Sequence, residues 1–148
     1  MEWYLKFFNE LSANELYKLL KLRVDVFVVE QDCPYQECDN KDRKSFHLFA
    51  EEEGSIVAYA RLILPGVSYP EASIGRVVVA KEYRKQGLGR ELMERGIDFL
   101  VTELQQGQIR ISAQQHLSSS FYGQLGFKVV TEPYLEDGIS HVEMFYQR

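Results

Sequence analysis

The sequence predicts an α/β (α+β) fold, a mixed β-sheet with helices on both faces. Three observations lead there. The 148 residues suit one domain, 1–148, and a chain of that size buries about 68–70% of its unfolded surface. Strand-like and helix-like periods succeed one another in the order β, α, β-β-β, α, β, α, β-β. The stretch "SIGRVVVA" (73–80) is apolar and β-branched with little alternation, which suits a central strand buried on both faces.

"EWYLKFF" (2–8) has the aromatic content of a strand. Ser12 followed by Glu15 is a capping box, and Leu16, Leu19, Leu20 and Phe27 then recur at helical spacing. A helix or broken helix follows, from about 13 to 30. Residues 32–44 are polar, contain Pro34 and have no apolar period, so they read as an irregular loop. "SFHLFAEE" (45–52) and "IVAYARLIL" (56–64) flank Gly54-Ser55 as an antiparallel hairpin. Residues 87–104 carry Leu88, Leu92, Met93, Phe99, Leu100 and Leu104, an amphipathic helix. "QIRISA" (108–113) alternates as a strand. "LSSSFYGQLGF" (117–127) is a short helix that stops at Gly126, a left-handed C-cap position. "FKVVTE" (127–132) and "HVEMFY" (141–146) close the chain as two strands joined by a loop containing "EDG".

Composition narrows the function. The net charge of -5 argues against nucleic acid as the main partner. No apolar run approaches the ~20 residues needed to span a bilayer. The N-terminus lacks a basic region followed by a long apolar core, so a cytoplasmic location is expected. Cys33 and Cys38 lack the ligand number and spacing of a zinc site. They are expected to be reduced thiols in the cytosol, and no metal is expected.

The charge is unevenly spread. Between 81 and 90, Lys81, Arg84, Lys85 and Arg90 stand against Glu82, a local charge of +3. This basic island contains Gly87 and Gly89 and lies between the 73–80 strand and the next helix. Helix starts leave backbone N–H groups without partners, and these bind anions, phosphate above all. Glycine lets a ligand approach the backbone closely. The dinucleotide pattern GxGxxG fails at Leu92, and no GK[ST] occurs. On physics alone, glycine in such a turn is equally well explained by steric need.

The same residues resemble a family. "RKQGLG" (84–89), after an apolar strand and before an amphipathic helix, is similar to the R/Q-x-x-G-x-G/A motif of the GNAT N-acetyltransferases. "SFYGQLGF" (120–127) resembles the late aromatic signature of that family. "LRVDVFVVEQDCPYQE", "AYARL", "IGRVVV", "AQQHL" and "EDGISHVEM" resemble its ElaA-like branch, so the likeness spans nearly the whole chain. The resemblance implies a sheet whose parallel strands 73–80 and 108–113 splay apart, with acetyl-CoA as cosubstrate in the split. It implies that pantetheine pairs with the backbone of Val77, Val78 and Val79. It places the pyrophosphate on Arg84, Lys85, Gln86, Gly87, Leu88, Gly89 and Arg90. The three valines suit a plain core equally well, since backbone can bind while side chains pack.

The implied reaction is acetyl transfer to an amine of a small molecule or peptide. Tyr122 matches the family tyrosine that protonates the departing sulfur, although a tyrosine there alone reads as a packed aromatic. Glu30, His116, Glu132 and His141 are candidates for the general base, because the 73–80 strand carries no glutamate. Gln115 stands where many relatives have an asparagine. Between 30 and 43 the local charge is -3, which suits a cationic acceptor as well as it suits a solvated loop. A non-catalytic acyl-CoA-binding sensor is the rival reading, and a homodimer is left open.

Overall fold

The computed structural model describes all 148 residues. The chain opens with β1 (Glu2–Phe7) and α1 (Ala13–Arg23). Ser12 caps α1 as its sequence requires: Oγ accepts from the Glu15 N–H at 3.0 Å, and Glu15 accepts from the Ser12 N–H at 2.9 Å. From Val24 to Glu30 the helix widens to π geometry. Four valines fall within this segment, and their branched Cβ atoms crowd a regular α-turn. The predicted broken helix is therefore an α-helix with a π-helical end.

Strands β2 (Ser45–Glu52), β3 (Ser55–Ile63) and β4 (Ser73–Val79) follow. With β1 they form an antiparallel sheet in the order β1-β2-β3-β4. After α2 (Leu88–Asp98) and a π-helical turn to Glu103 come β5 (Gln108–Gln114), β6 (Lys128–Val129), β7 (Tyr134–Glu136) and β8 (Ile139–Gln147). These make a second sheet in the order β5-β8-β6, with β7 also paired to β8. Short 3₁₀ and π turns connect β5 to Gly126, which is left-handed at φ 103°.

The two sheets touch through β4 and β5 only at their start. The Arg110 N–H donates to the Ala72 carbonyl at 3.0 Å, and Ala72 and Ile109 form one parallel bridge. Beyond it the strands part, as the expected splay requires. A bulge in β4 accompanies the parting. Tyr59 pairs with Val78 and Arg61 with Gly75, so two residues, Arg76 and Val77, oppose Ala60. Arg76 takes φ 52° there. A bulge bends its strand and increases local twist.

Helix α1 packs on one face of the first sheet and α2 on the other. Helix α2 lies so close that a Cβ at Gly96 would sit 3.0 Å from Leu62 Cδ2. The larger core cluster runs from Leu48 and Leu62 through Leu92, Met93 and Leu100 to Ile109, Ile111 and Met144. A smaller one gathers Leu19, Leu22, Phe49, Tyr59 and Val78 beneath α1.

Three expectations need correction. β4 is not a central strand but the last strand of its sheet. Its apolar run arises because Val78 packs into one core while Val77 and Val79 pack against the other. The 127–132 strand shrinks to Lys128–Val129, with Val130 adding one bond to Glu143 before Pro133 ends the run. The loop holding "EDG" is a hairpin, β7-β8. Glu136 pairs with Ile139 across Asp137 and Gly138, both at positive φ, the geometry that Asp-Gly favours in a tight turn.

Candidate active site

The gap between β4 and β5 holds a cavity of about 660 Å³. One wall is Ile74 to Val79 and the other is Ile111, Ser112 and Gln114. The π-helical end of α1 supplies Val26, Phe27 and Glu30, while Leu117, Tyr122 and the β7-β8 hairpin close the far side. Val77, Val78, Val79, Arg84 and Tyr122 are thus brought together in one cleft.

Arg84 is already engaged. Its guanidinium donates to the Val79 carbonyl at 3.0 Å and to both Glu30 oxygens at 2.6 and 2.9 Å. The hydrogen bond from Arg84 and its charge hold the Glu30 carboxyl below the usual glutamate range. Glu30 is therefore a paired anion and a poor base.

The glycine turn begins just past Arg84. Gly87, at φ 81°, is the N-cap residue of α2 and provides no side-chain cap. Residues 85 to 87 donate to no other backbone group, and the first N–H groups of α2 have no intrahelical partner. A Cβ at Gly87 would meet nothing within 4 Å, and one at Gly89 would only touch Phe121 at 3.7 Å. The space before this helix start is open on the side where an anion would approach. Lys85, Gln86 and Arg90 are exposed around it, whereas the Leu88 side chain is buried in the core. Arg90 faces Glu94 at 3.5 Å, and Lys85 makes no ion pair.

Tyr122 lies partly buried against Phe121 and Phe127, edge-on to both rings. Burial alone pushes its hydroxyl up to about 12. The group therefore keeps its proton at neutral pH and can donate it but not readily accept one.

The acidic loop is not a free anionic surface. Arg23 lies fully buried and bonds Glu37 Oε1 at 2.8 Å and Asp42 Oδ1 at 2.8 Å. Arg61 bonds both Asp39 oxygens, at 2.8 and 2.9 Å, and Asp42 at 3.0 Å. Arg76, from the β4 bulge, bonds Glu37 at 2.7 Å and Asp39 at 3.3 Å. Three arginines from α1, β3 and β4 thus neutralise three carboxylates of the loop. With Glu30 paired to Arg84, the charge counted along the sequence does not face the cleft as free charge. Cys33 and Cys38 are both free thiols, and Cys33 lines the cavity.

Of the remaining base candidates, His116 and Glu132 are exposed and lie outside the cavity lining. His141 is buried and lines it. Sequence reading missed Ser112 and Glu136, which share that end of the cleft. The Asp-Gly turn beside Glu136 was the available signal.

The profile of the acetyltransferase (GNAT) domain family matches residues 12–147. An acyl-CoA N-acyltransferase from Pseudomonas aeruginosa superposes with a TM-score of 0.92 and 43% sequence identity, over 99% of both chains. Escherichia coli ElaA superposes with a TM-score of 0.90 and 37% identity, over 99% of this chain and 100% of that one. A UPF0039 protein of Synechocystis is 40% identical over 148 residues, covering 99% of this chain and 96% of the relative.

Proposed function

The chain belongs to the GNAT acetyltransferase family, and from that premise we propose that it transfers an acetyl group from acetyl-CoA to a primary amine of a small molecule or peptide. The observation that carries this reading is the open split between β4 and β5. It gathers Val77, Val78, Val79, Arg84 and Tyr122 around one cavity, and the glycine turn, which does not line it, follows Arg84 in the chain.

The N–H groups from Lys85 to Arg90 hold the pyrophosphate, with Lys85 adding charge and Gly87 and Gly89 leaving room. The backbone of Val77 to Val79 lies along the pantetheine arm as a neighbouring strand would. Arg84 fixes this edge by holding the Val79 carbonyl. The free amine nitrogen attacks the thioester carbonyl, the N–C bond forms, the C–S bond breaks, and the proton the nitrogen sheds as it becomes an amide passes to solvent. Tyr122 gives its proton to the departing sulfur and recovers it from solvent.

The acceptor is cationic in its resting form, because an amine with a reference pKa near ~10.4 is protonated at neutral pH. Support for its recognition comes from the β7-β8 hairpin, where Glu136 and Asp137 line the cavity without an arginine or lysine partner.

The test is thiol release from acetyl-CoA across a panel of primary amines. Release with at least one amine is expected. Binding of acetyl-CoA without release for any amine would favour a non-catalytic sensor.

A further inference from the structure

The cavity end formed by β5, β7 and β8 contains a short chain of hydrogen bonds whose directions can be worked out. Ser112 Oγ lies 3.0 Å from Glu136 Oε1 and 2.6 Å from the Tyr134 hydroxyl. A carboxylate only accepts, so the one Ser112 proton goes to Glu136 and the Tyr134 proton goes to Ser112. Glu136 is thereby held by its Oε1, and its other oxygen is left over. That oxygen, Oε2, lies 3.5 Å from Nε2 of His141.

The histidine is oriented too. Its Nδ1 lies 2.7 Å from the Ile139 carbonyl. A carbonyl only accepts, so Nδ1 carries the proton, and in the neutral ring Nε2 is a lone pair. Two acceptors then face each other, Nε2 and Oε2, with no donor between them. An added proton on the ring fills this gap. A primary ammonium fills it as well, giving one N–H to each acceptor.

We infer that Glu136 and His141 form the acceptor-amine site: Glu136 binds the ammonium, and His141 takes its proton. The catalytic half of this rests on the acyl-transfer reading. The ammonium gives one proton to His141 Nε2, leaving a neutral amine and an imidazolium stabilised by Glu136. The amine lone pair forms the N–C bond, the C–S electrons pass to sulfur, and Tyr122 protonates it. The second proton of the attacking nitrogen passes to solvent as the neutral amide forms, a solvent proton restores Tyr122, and the imidazolium releases its proton to solvent, so each ammonium acetylated releases one net proton.

The other charged groups near His141 are Asp137 and Glu143, the latter two residues along β8 and bonded by Arg110 at 3.2 Å. β5 presents Gln114 and Ser112, and β7 presents Tyr134, whose ring stacks on the imidazole, and Glu136. The 115–117 turn packed on β8 carries His116, which is exposed, and Gln115, which bonds Ser140. Asp137 stands at the hairpin tip.

The test combines three measurements on wild type, Glu136→Gln and His141→Gln. Calorimetry should give the same acetyl-CoA affinity for all three. With the best amine of the panel, Glu136→Gln should raise KM at least about tenfold and lower kcat as well, though less than His141→Gln does, because the imidazolium then loses its carboxylate partner. His141→Gln should lower kcat about 10²-fold. Its kcat/KM should rise tenfold per pH unit from about pH 6 to 9, because the amine must then lose its proton to solvent. A His141→Gln variant with the wild-type pH profile, or a Glu136→Gln variant with unchanged KM, overturns the assignment while acyl transfer stands.

Histidine ¹⁵N spectra supply a readout independent of turnover and of variant folding. n-Butylammonium should shift the His141 Nε2 signal of the wild-type protein, and n-butanol should not. No shift with n-butylammonium overturns the site. A shift in a protein that turns over no amine keeps the site and sinks the acyl-transfer reading.

Discussion

Arg76 Nε donates to Glu37 Oε1 at 2.7 Å, and this bond ties the β4 bulge to the loop that walls the cleft. The same oxygen receives Nε and Nη2 of Arg23, at 2.8 and 2.5 Å. Tyr35 donates to the other Glu37 oxygen. Buried charges are costly to desolvate, and the attraction between them offsets that cost only while every partner is present. Glu37→Gln should therefore lower stability by about 3 kcal/mol, because it strips charge compensation from a fully buried arginine. Urea unfolding measures this. A midpoint within experimental error of wild type would mean that Arg23 is compensated by Asp42 alone.

Acid should act on this network in two stages. Burial chiefly holds His47 below its ordinary range. It accepts from Tyr59 through Nδ1 and donates from Nε2 to the Asp42 carbonyl. A depressed histidine contributes stability that is present above its unfolded value, ~6.5, and lost as pH falls below it. Asp39 follows. Burial works against its ionisation, but the Arg61 hydrogen bonds and charge, with help from Lys41 N–H and Arg76, bring it down to about 2. Its contribution, about 2 kcal/mol, is present above pH ~4 and lost as pH falls through about 2. Stability measured against pH should fall first below ~6.5 and again below ~4. The first step should vanish in His47→Gln, and the second should shrink in Asp39→Asn.

Gly89→Asp should leave the protein folded and abolish acetyl-CoA binding. The new Cβ meets only Phe121, at an ordinary 3.7 Å, and an acid in the first turn of α2 suits the helix dipole. The same carboxylate would occupy the open space before the helix and repel a pyrophosphate. Calorimetric titration with matched circular dichroism tests this. Wild-type affinity in the folded variant would move the phosphate site elsewhere.

Tyr122→Phe should lower kcat by roughly 10²-fold or less with little change in acetyl-CoA affinity. The leaving thiol has a reference pKa of ~8.5 and departs fairly well unaided, which sets the low end. The ring contacts with Phe121 and Phe127 survive the change, so folding should too. An unchanged rate under conditions where chemistry limits would make Tyr122 a packing residue.

The elements were largely legible because their signals are local. Ser12 and Glu15 lie three residues apart and cap α1 as written. Gly87 and Gly126 both adopt the left-handed backbone that glycine allows. The β7-β8 hairpin has a local signal too, in Asp137-Gly138, a pair that favours a tight turn. The β4 bulge was not legible, since Arg76 takes its positive φ from the pairing demands of β3 and the pull of Glu37 rather than from its own preference.

By itself, then, the sequence determined the order of strands and helices as far as β5, the glycine turn at the start of α2 and the helical turns bearing Tyr122. Each rests on the dihedral preferences and side-chain periods of neighbouring residues. Only the tertiary structure decided which charges are free. Arg23 meets Asp42 across 19 positions, Arg76 meets Glu37 across 39 and Arg84 meets Glu30 across 54. Charge counted along the chain carries no information about such partners. The same holds for the histidines: His116 and His141 look alike in sequence, and burial beside Glu136 at the end of β5 sets one apart. Ion pairing and desolvation depend on distance in space, and folding fixes that distance.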